Sequence, residues 1–155
     1  MKRIHISVFF VLVMSLSALA APQDSYLEKI SVLNAPNAPG TVSQERVATC
    51  MRLIAQDLQV DPASLPNIVV MHVTAREAEA AGIRATGVRH NVGANESSNY
   101  YEFWIIGRPR SVDYATALYS VLENHVGHRL PQSERLAIMR RALRYLDATL
   151  SAAGE

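Results

Sequence analysis

The stretch Asn67–Thr74, which reads NIVVMHVT, limits the possible fold more than any other part of the chain. Valine and isoleucine favour extended backbone because their branched side chains pack well on a pleated surface. The run is apolar at most positions instead of alternating between apolar and polar residues, which is typical of a strand buried on both faces. It therefore predicts a sheet strand with other parts of the chain packed against each of its faces.

A helix with one apolar face is predicted before this strand. Thr41 or Ser43 caps its start, and it ends at about Val60, before Asp61-Pro62. The single cysteine lies on its apolar face and is expected to be buried and unreactive, because a reactive thiol needs exposure and nearby positive charge. The apolar side chains that recur at helical spacing are Val47, Cys50, Met51, Ile54 and Leu58.

Two more strands are predicted along the chain, near residues 84–92 (RATGVRHNV) and near residues 100–106 (YYEFWII). The segment between them is polar and contains glycine and asparagine, so a hairpin is the simplest interpretation. Together with the strand near 67–74 they predict a small twisted sheet.

Helical patterns surround these strands. A short helix is expected over Ala75–Ala81, and a longer one runs from Ser111 or Asp113 to about Arg129. A final helix starts at Ser133 and has an apolar stripe of its own. Separated strands and helices in this order predict one α+β domain, with helices packed on one face of the sheet.

The N-terminus has the features of a secretory signal peptide. Met1-Lys2-Arg3 is basic, and Val8–Leu19 is apolar apart from two serines. The run closes with Ala18-Leu19-Ala20, which has the small residues that precede a cleavage site. It is shorter than the ~20 residues that a bilayer span needs. We therefore expect residues 1–20 to be removed and the protein to be periplasmic or secreted.

The mature chain divides into an N-terminal segment and linker over residues 21–40 and a single α+β domain over residues 41–152. Removing Lys2 and Arg3 leaves 13 of the 15 basic residues against 14 acidic ones, so the net charge is near −1. This balance, without a basic run, argues against nucleic acid as a partner. No second apolar stretch is long enough to cross a membrane, so none is expected to be bound after signal cleavage.

Two histidines stand three residues apart in Leu122–Leu130, LENHVGHRL, near the predicted end of the helix that follows the hairpin. Advancing about 100° per residue from Tyr114 puts His125 and His128 on the apolar side of this helix, with Glu123 on the opposite side. We therefore expect both imidazoles to face the sheet and Glu123 to point to solvent.

This pair has two interpretations. Histidines three apart on a helix can reach one cation, so zinc is possible at His125 and His128, although the sequence indicates no third ligand. Alternatively, each ring is neutral, partly buried and satisfied by a neighbour, and no cofactor is bound. The other histidines of the mature chain belong to no motif: His72 is expected to pack or pair locally, and His90 to lie on an exposed rim.

The window SVLENHVGHRL resembles the active helix of zincin metallopeptidases, which carries HExxH and follows a hairpin. Asn124 stands at the first metal-binding histidine and His125 at the catalytic glutamate. Gly127 matches the small residue that often precedes the second histidine, and His128 matches that histidine itself. Zincin hydrolysis needs three protein ligands and a carboxylate that deprotonates the bound water. The resemblance therefore implies a zincin-like fold with a degenerate motif.

We accordingly expect an exported small protein whose zincin-like domain has lost peptidase activity and acts as a binding or accessory module. One alternative is an active metal-dependent hydrolase or peptidase that uses His125 and His128. A second alternative is an unrelated α+β binding domain in which the histidines are structural. All three stay open at this point, because a fold does not by itself determine a function.

The resemblance also implies a partner. In zincins the strand before the active helix binds extended substrate through main-chain hydrogen bonds, which is a form of strand addition. Tyr100–Ile106 would then be an exposed edge of the sheet, with Tyr101, Phe103 and Trp104 as its peptide-binding residues. The expected partner is an extended peptide or protein segment.

Overall fold

The computed structural model describes residues 22–93 and 99–152, so the predicted signal peptide lies outside the described residues. None of the described helices is long and apolar enough to cross a bilayer. A short 3-10 helix, Pro62–Ser64, precedes the second strand. The other elements described are the helices α1 (Pro22–Leu27), α2 (Gln44–Asp57), α3 (Ala75–Ala80), α4 (Ser111–Val126) and α5 (Gln132–Ala152), and the strands β1 (Ile30–Asn34), β2 (Asn67–Val73), β3 (Gly87–Asn91) and β4 (Tyr100–Ile106).

The four strands form one mixed sheet in the order β1-β2-β4-β3. β1, β2 and β4 run parallel, and β3 is antiparallel to β4. The α+β class and the hairpin predicted from the sequence are therefore confirmed. The first hairpin strand, Gly87–Asn91, is shorter than the predicted 84–92, and just before it the Thr86 hydroxyl accepts a hydrogen bond from the Ile106 N–H (3.0 Å).

Part of the predicted N-terminal segment and linker, residues 21–40, forms β1. This strand pairs with β2 from Ile30 opposite Ile68 to Asn34 opposite His72. Tyr26 in α1 and Ile30 are both 2% exposed and belong to the core, so the segment is part of the packed domain. A strand of five residues with mostly exposed side chains has little pattern of its own, and pairing with a distant strand decides its conformation.

The long helices α2, α4 and α5 contact one another; α2 and α4 lie against one face of the sheet, and α5 packs on these two helices. Alternate side chains of β2 and β4 point into the layer between sheet and helices and are buried there. Burial of each large aliphatic side chain contributes roughly 1.5–3 kcal/mol, so the hydrophobic core as a whole makes a large contribution to stability. Buried helix residues of this core include Met51, Ile54, Leu118, Leu122, Ala142 and Leu146.

The opposite face of the sheet is largely uncovered. Met71 on β2 and Trp104 on β4 are half-buried there, and Leu33 on β1 is 55% exposed. The prediction that Asn67–Thr74 is buried on both faces is therefore wrong. Apolar side chains occur on protein surfaces as well as in cores, so an apolar run does not reveal which of its two faces the helices will cover.

Side-chain caps begin two of the helices. Ser43 accepts a hydrogen bond from the Arg46 N–H (3.3 Å), which confirms one of the two predicted starts of α2. At α3, the Thr74 hydroxyl and the Glu77 carboxylate form a reciprocal capping box. The Thr74 bonds also lower the pKa of Glu77, since they favour its charged form.

Candidate functional site

The end of α4 carries the two histidines that stand out in the sequence. His125 lies in the last turn of the helix, His128 lies beyond its end at Val126, and both residues are exposed. The expectation that both imidazoles face the sheet is therefore wrong. The buried side chains of α4 end at Leu122, and Val126, one turn further, is already 40% exposed.

Gly127 explains where the helix stops. Its φ of 69° is left-handed, a conformation that glycine adopts without steric cost, and its N–H bonds back to the Glu123 and Asn124 carbonyls (3.1 and 3.2 Å). After such a cap the chain leaves the helical path, so a step of about 100° per residue no longer applies at His128. The degenerate motif therefore spans a helix end and not one helix face.

Glu123 does not point to solvent as expected. Its carboxylate lies between α4 and α5, where it accepts a hydrogen bond from the Tyr119 hydroxyl (3.3 Å) and pairs with Arg135 (3.6 Å). Burial and this nearby carboxylate raise the pKa of Tyr119. α5 packs against α4 on the side that carries Glu123. The position of Glu123 within α4 does not predict this contact.

His128 lines an open groove of about 420 Å³ between the end of α2 and the start of α5. Asp57 and Glu134 also line it, and the Asp57 carboxylate accepts a hydrogen bond from Arg141 (2.6 Å). Within residues 22–93 and 99–152, no three His, Cys, Asp or Glu side chains are grouped so that they could hold a metal ion. Zinc at His125 and His128 stays a prediction.

The strand predicted to be an exposed edge lies inside the sheet. β4 pairs with β2 on one side and with β3 on the other, so the expectation that Tyr100–Ile106 is an edge is wrong. Tyr101 and Phe103 are buried on the helix side, and burial raises the pKa of Tyr101. Trp104 is half-buried on the open face. Their role in binding peptides stays a prediction.

The edge on this side of the sheet is β3. Its Val88 and His90 lie on the helix side, opposite Phe103 and Tyr101, and His90 stacks on the Tyr101 ring at 4.2 Å. His90 is exposed, as expected, and its Nε2 lies 2.7 Å from the Asn99 side-chain oxygen. In the part of the chain that the structure describes, no strand pairs with the outer side of β3.

A groove of about 420 Å³ runs between β3 and α4. Its rim includes Arg110 and Asp113, whose side chains pair at 2.8 Å, and this bond and charge raise the pKa of Arg110. Since the pair is internally neutralised, the groove favours no charge. Its apolar lining is Val88, Phe103, Val112 and Ala117, and its other polar lining is Thr86, Thr116 and Ser120.

On the open face, a small network surrounds Trp104. Its Nε1–H donates to one Glu102 oxygen (2.9 Å), and the Tyr100 hydroxyl donates to the other (3.4 Å). Arg89 on β3 lies 4.0 Å from the same carboxylate. Gly87 stands opposite Trp104 and has no side chain, so the indole can be approached from the β3 edge. A glycine within a strand pattern is the one sequence signal for this approach.

Two side chains with reactive groups, those of Cys50 and His72, are buried. Cys50 is completely buried in α2, and burial raises the pKa of its thiol to about 12, so its predicted burial is confirmed. His72 is also completely buried, but its ring nitrogens lie near Asn34 and Gly107, which are 38 and 35 residues away in sequence. The sequence predicts that His72 packs or pairs locally: it does pack in the interior, but its hydrogen-bond partners are distant in sequence.

Comparison with known proteins identifies no relative of this chain. No protein-family model, no curated protein and no solved structure matches the chain.

Proposed function

We propose that the chain is an exported binding module whose zincin-like domain has lost peptidase activity and which holds an extended segment of a partner protein by strand addition along β3. The observation that carries the proposal is the unpaired outer edge of β3, among the described residues, beside a groove of about 420 Å³. Strand addition takes affinity from main-chain hydrogen bonds and specificity from pockets for alternate side chains. β3 and the groove offer both.

The positions of side chains around β3 support this mode of binding. Neighbouring strands lie about 4.8 Å apart and send alternate side chains to opposite faces. On the helix side, side chains of an added strand would enter the groove between Val88 and Thr116. On the open side, the absence of a side chain at Gly87 lets an apolar group reach the Trp104 indole. The bound segment would be about as long as β3 and would carry apolar groups facing both sides.

The end of α4 supports binding without hydrolysis. Zincin chemistry needs three metal ligands and a carboxylate base in one cavity. Asn124 occupies the place of one ligand, His125 is exposed in the last turn, and His128 lies outside the helix. The order of elements, a hairpin followed by two helices, supports the zincin-like part of the proposal. Without catalysis, the edge of β3 is the surface through which the domain would bind its partner.

The proposal is tested with linear peptides selected from a phage-displayed library on the mature protein. A synthetic peptide from the selected set should bind, as measured by calorimetry, and Thr116→Trp should weaken it by at least about tenfold, or 1.4 kcal/mol. Thr116 is exposed on α4 and lines the groove, so an indole there would fill the space without disturbing the core.

The matched control is Gln56→Trp, which places the same side chain at an exposed position on α2 away from this groove. It should leave the affinity unchanged. Hydrogen exchange of the complex should show new protection of the β3 amides and none at β1, the opposite edge of the sheet. Peptides that bind equally well to Thr116→Trp, or that protect β1 instead, would contradict the proposal.

A further inference from the structure

Gly87 interrupts the row of side chains that β3 places on the open face of the sheet. A Cβ added to Gly87 meets no atom within 4 Å. Trp104 stands directly opposite on β4, and its Nε1–H bond to Glu102 (2.9 Å) holds the indole along its own strand. The space directly above Gly87 is therefore open, between the outer edge of β3 and the indole.

A hydrogen bond at the end of β4 shows which backbone groups of β3 point outward. The Ile106 N–H points toward β3 and donates to the Thr86 hydroxyl (3.0 Å). Opposite residues in an antiparallel pair alternate between pairs that exchange hydrogen bonds and pairs that do not. Even-numbered residues of β4 therefore bond to the odd-numbered residues of β3, and the N–H and C=O groups of Val88 and His90 point away from β4.

This alternation determines how an added strand would lie on β3. Antiparallel pairing is slightly more stable per residue than parallel pairing, and an antiparallel strand would exchange hydrogen bonds with Val88 and His90. Its residues opposite Gly87 and Arg89 would form pairs without hydrogen bonds, in which the side chains stand closer together. Those two side chains would lie on the open face, and the side chain between them would lie on the helix side.

The position opposite Gly87 favours an aromatic side chain. Neighbouring strands are about 4.8 Å apart, so an added strand would lie roughly 10 Å from β4 and Trp104. A short side chain does not span this distance, whereas an aromatic ring that leans over Gly87 comes within the centroid separations of about 4.5–7 Å at which aromatic pairs interact. An aromatic residue across from an edge glycine also covers the exposed backbone of that glycine.

Arg89 provides a charge for the next position on the open face. Its side chain is 53% exposed, and its Nη1 lies 4.0 Å from the Glu102 carboxylate, which is too far for a hydrogen bond. That carboxylate already accepts hydrogen bonds from Trp104 and Tyr100. The guanidinium can therefore bond to a carboxylate of the added strand, and opposite charges across neighbouring strands stabilise their pairing.

We propose that the segment bound at β3 runs antiparallel to it and carries, in order along its sequence, an acidic, an apolar and an aromatic residue. The acidic residue pairs with Arg89, and the apolar residue enters the groove beside Val88. The aromatic residue covers Gly87 and contacts Trp104. This inference rests on the proposed strand addition along β3 and adds the class of sequence that is bound.

The peptides selected on the mature protein give the first test. Those that protect the β3 amides should share the order acidic, apolar, aromatic. Replacing the aromatic residue of such a peptide by alanine should weaken its binding about tenfold in calorimetry, because the ring contact and its buried area are lost. Selected peptides that protect β3 but lack this order would overturn the inference.

Fluorescence tests the aromatic contact in the wild-type protein. Trp104 is the single tryptophan of the chain, so its emission reports on this position alone. A saturating peptide with glutamate, valine and phenylalanine at its centre should shift the emission to shorter wavelengths, because the ring removes the indole from water. The same peptide with alanine in place of phenylalanine should not, and equal shifts for the two peptides would contradict the contact.

Variants of β4 test the same contact by affinity. Trp104→Val keeps a residue that favours strands but removes the indole, so the about tenfold preference for phenylalanine over alanine in the peptide should disappear. The matched control is Tyr100→Val, a change on the same face of β4 four residues away, and it should keep the preference. A preference that survives in Trp104→Val would contradict the proposed position of the aromatic residue.

A charge reversal tests the acidic position. Arg89→Glu should replace the preference for glutamate in the peptide by a preference for lysine, each about two- to fivefold. The control Arg140→Glu makes the same change of charge at an exposed position on α5 and should keep the preference for glutamate.

The outcomes separate this inference from the proposed function on which it rests. Peptides that protect β3 and are weakened by Thr116→Trp, but show neither the aromatic nor the charge preference, would overturn this inference and leave strand addition standing. If no selected peptide protects the β3 amides, strand addition and this inference both fail.

Discussion

The two histidines at the end of α4 stand out in the sequence but not in the structure, whereas the single histidine in β2 stands out in the structure but not in the sequence. His125 and His128 form the most conspicuous pattern in the chain, yet both are exposed and one lies outside the helix. His72 belongs to no motif, yet it is completely buried with an oxygen at each ring nitrogen. A side chain's surroundings, and not its place in a pattern, determine what its chemistry can do.

The difference has a simple physical origin. Spacing along a helix predicts a shared face only while the helix continues, and α4 ends before His128. A polar group removed from water, in contrast, must be paired wherever it lies, because an unpaired one costs about 1–3 kcal/mol. Burial therefore demands partners for His72, whereas water satisfies the two exposed rings.

The largest expected effect tests where α4 leaves the core. Leu122 is completely buried, so Leu122→Ala should lower the free energy of unfolding by about 2–5 kcal/mol. Val126, one turn later, is 40% exposed, so Val126→Ala should change it by less than about 0.5 kcal/mol. Urea unfolding followed by circular dichroism measures both. Equal losses would mean that the helix stays buried to its end.

The next effect compares the two histidine regions directly. His72→Phe keeps a planar ring but leaves the partly buried Gly107 carbonyl oxygen without its hydrogen-bond donor, so it should cost about 1–3 kcal/mol. His125→Phe changes an exposed side chain and should stay within about 0.5 kcal/mol of the wild type. Both are measured by urea unfolding at about pH 6. A loss of unfolding free energy in His125→Phe as large as that in His72→Phe would contradict this prediction.

A smaller effect tests the turn that ends α4. Gly127 has a φ of 69°, which an L-residue adopts at a cost of roughly 1–2 kcal/mol, so Gly127→Ala should destabilise by that amount. Gly87 has no left-handed φ, and an added Cβ there meets nothing within 4 Å. Gly87→Ala should therefore be neutral or stabilise by up to about 1 kcal/mol, through the entropy of the unfolded chain. A harmless Gly127→Ala would place the helix end elsewhere.

The smallest expected effects concern zinc. Ser120→His with Asn124→His puts two exposed imidazoles one turn apart within α4, so zinc should raise the melting temperature by mass action. Asn124→His with His125→Glu, which restores the zincin pattern with His128, should show a weaker shift or none, because His128 lies past the end of the helix. Calorimetry with and without zinc measures both. A larger shift for the second variant would mean that the helix continues through Gly127 when metal binds.

Local patterns determined much of the secondary structure by themselves. β2 and β4 are runs of β-branched and aromatic residues, and the polar segment between the strand candidates near 84–92 and 100–106 predicts the β3–β4 hairpin. The apolar spacing of α2 and its capping serine predict both the helix and the burial of Cys50. These features depend on residues a few positions apart, and backbone preference and periodicity act over that distance.

Tertiary structure alone decided the arrangement of these elements and the surroundings of the candidate sites. The pairing of β1 with β2, the position of β4 inside the sheet and the uncovered sheet face all depend on which segments meet. The partners of His72 come from 35 and 38 residues away, and Glu123 is covered because α5 folds back on α4. Such contacts depend on the free energy of the whole core and its hydrogen bonds, and a short stretch of sequence does not predict them.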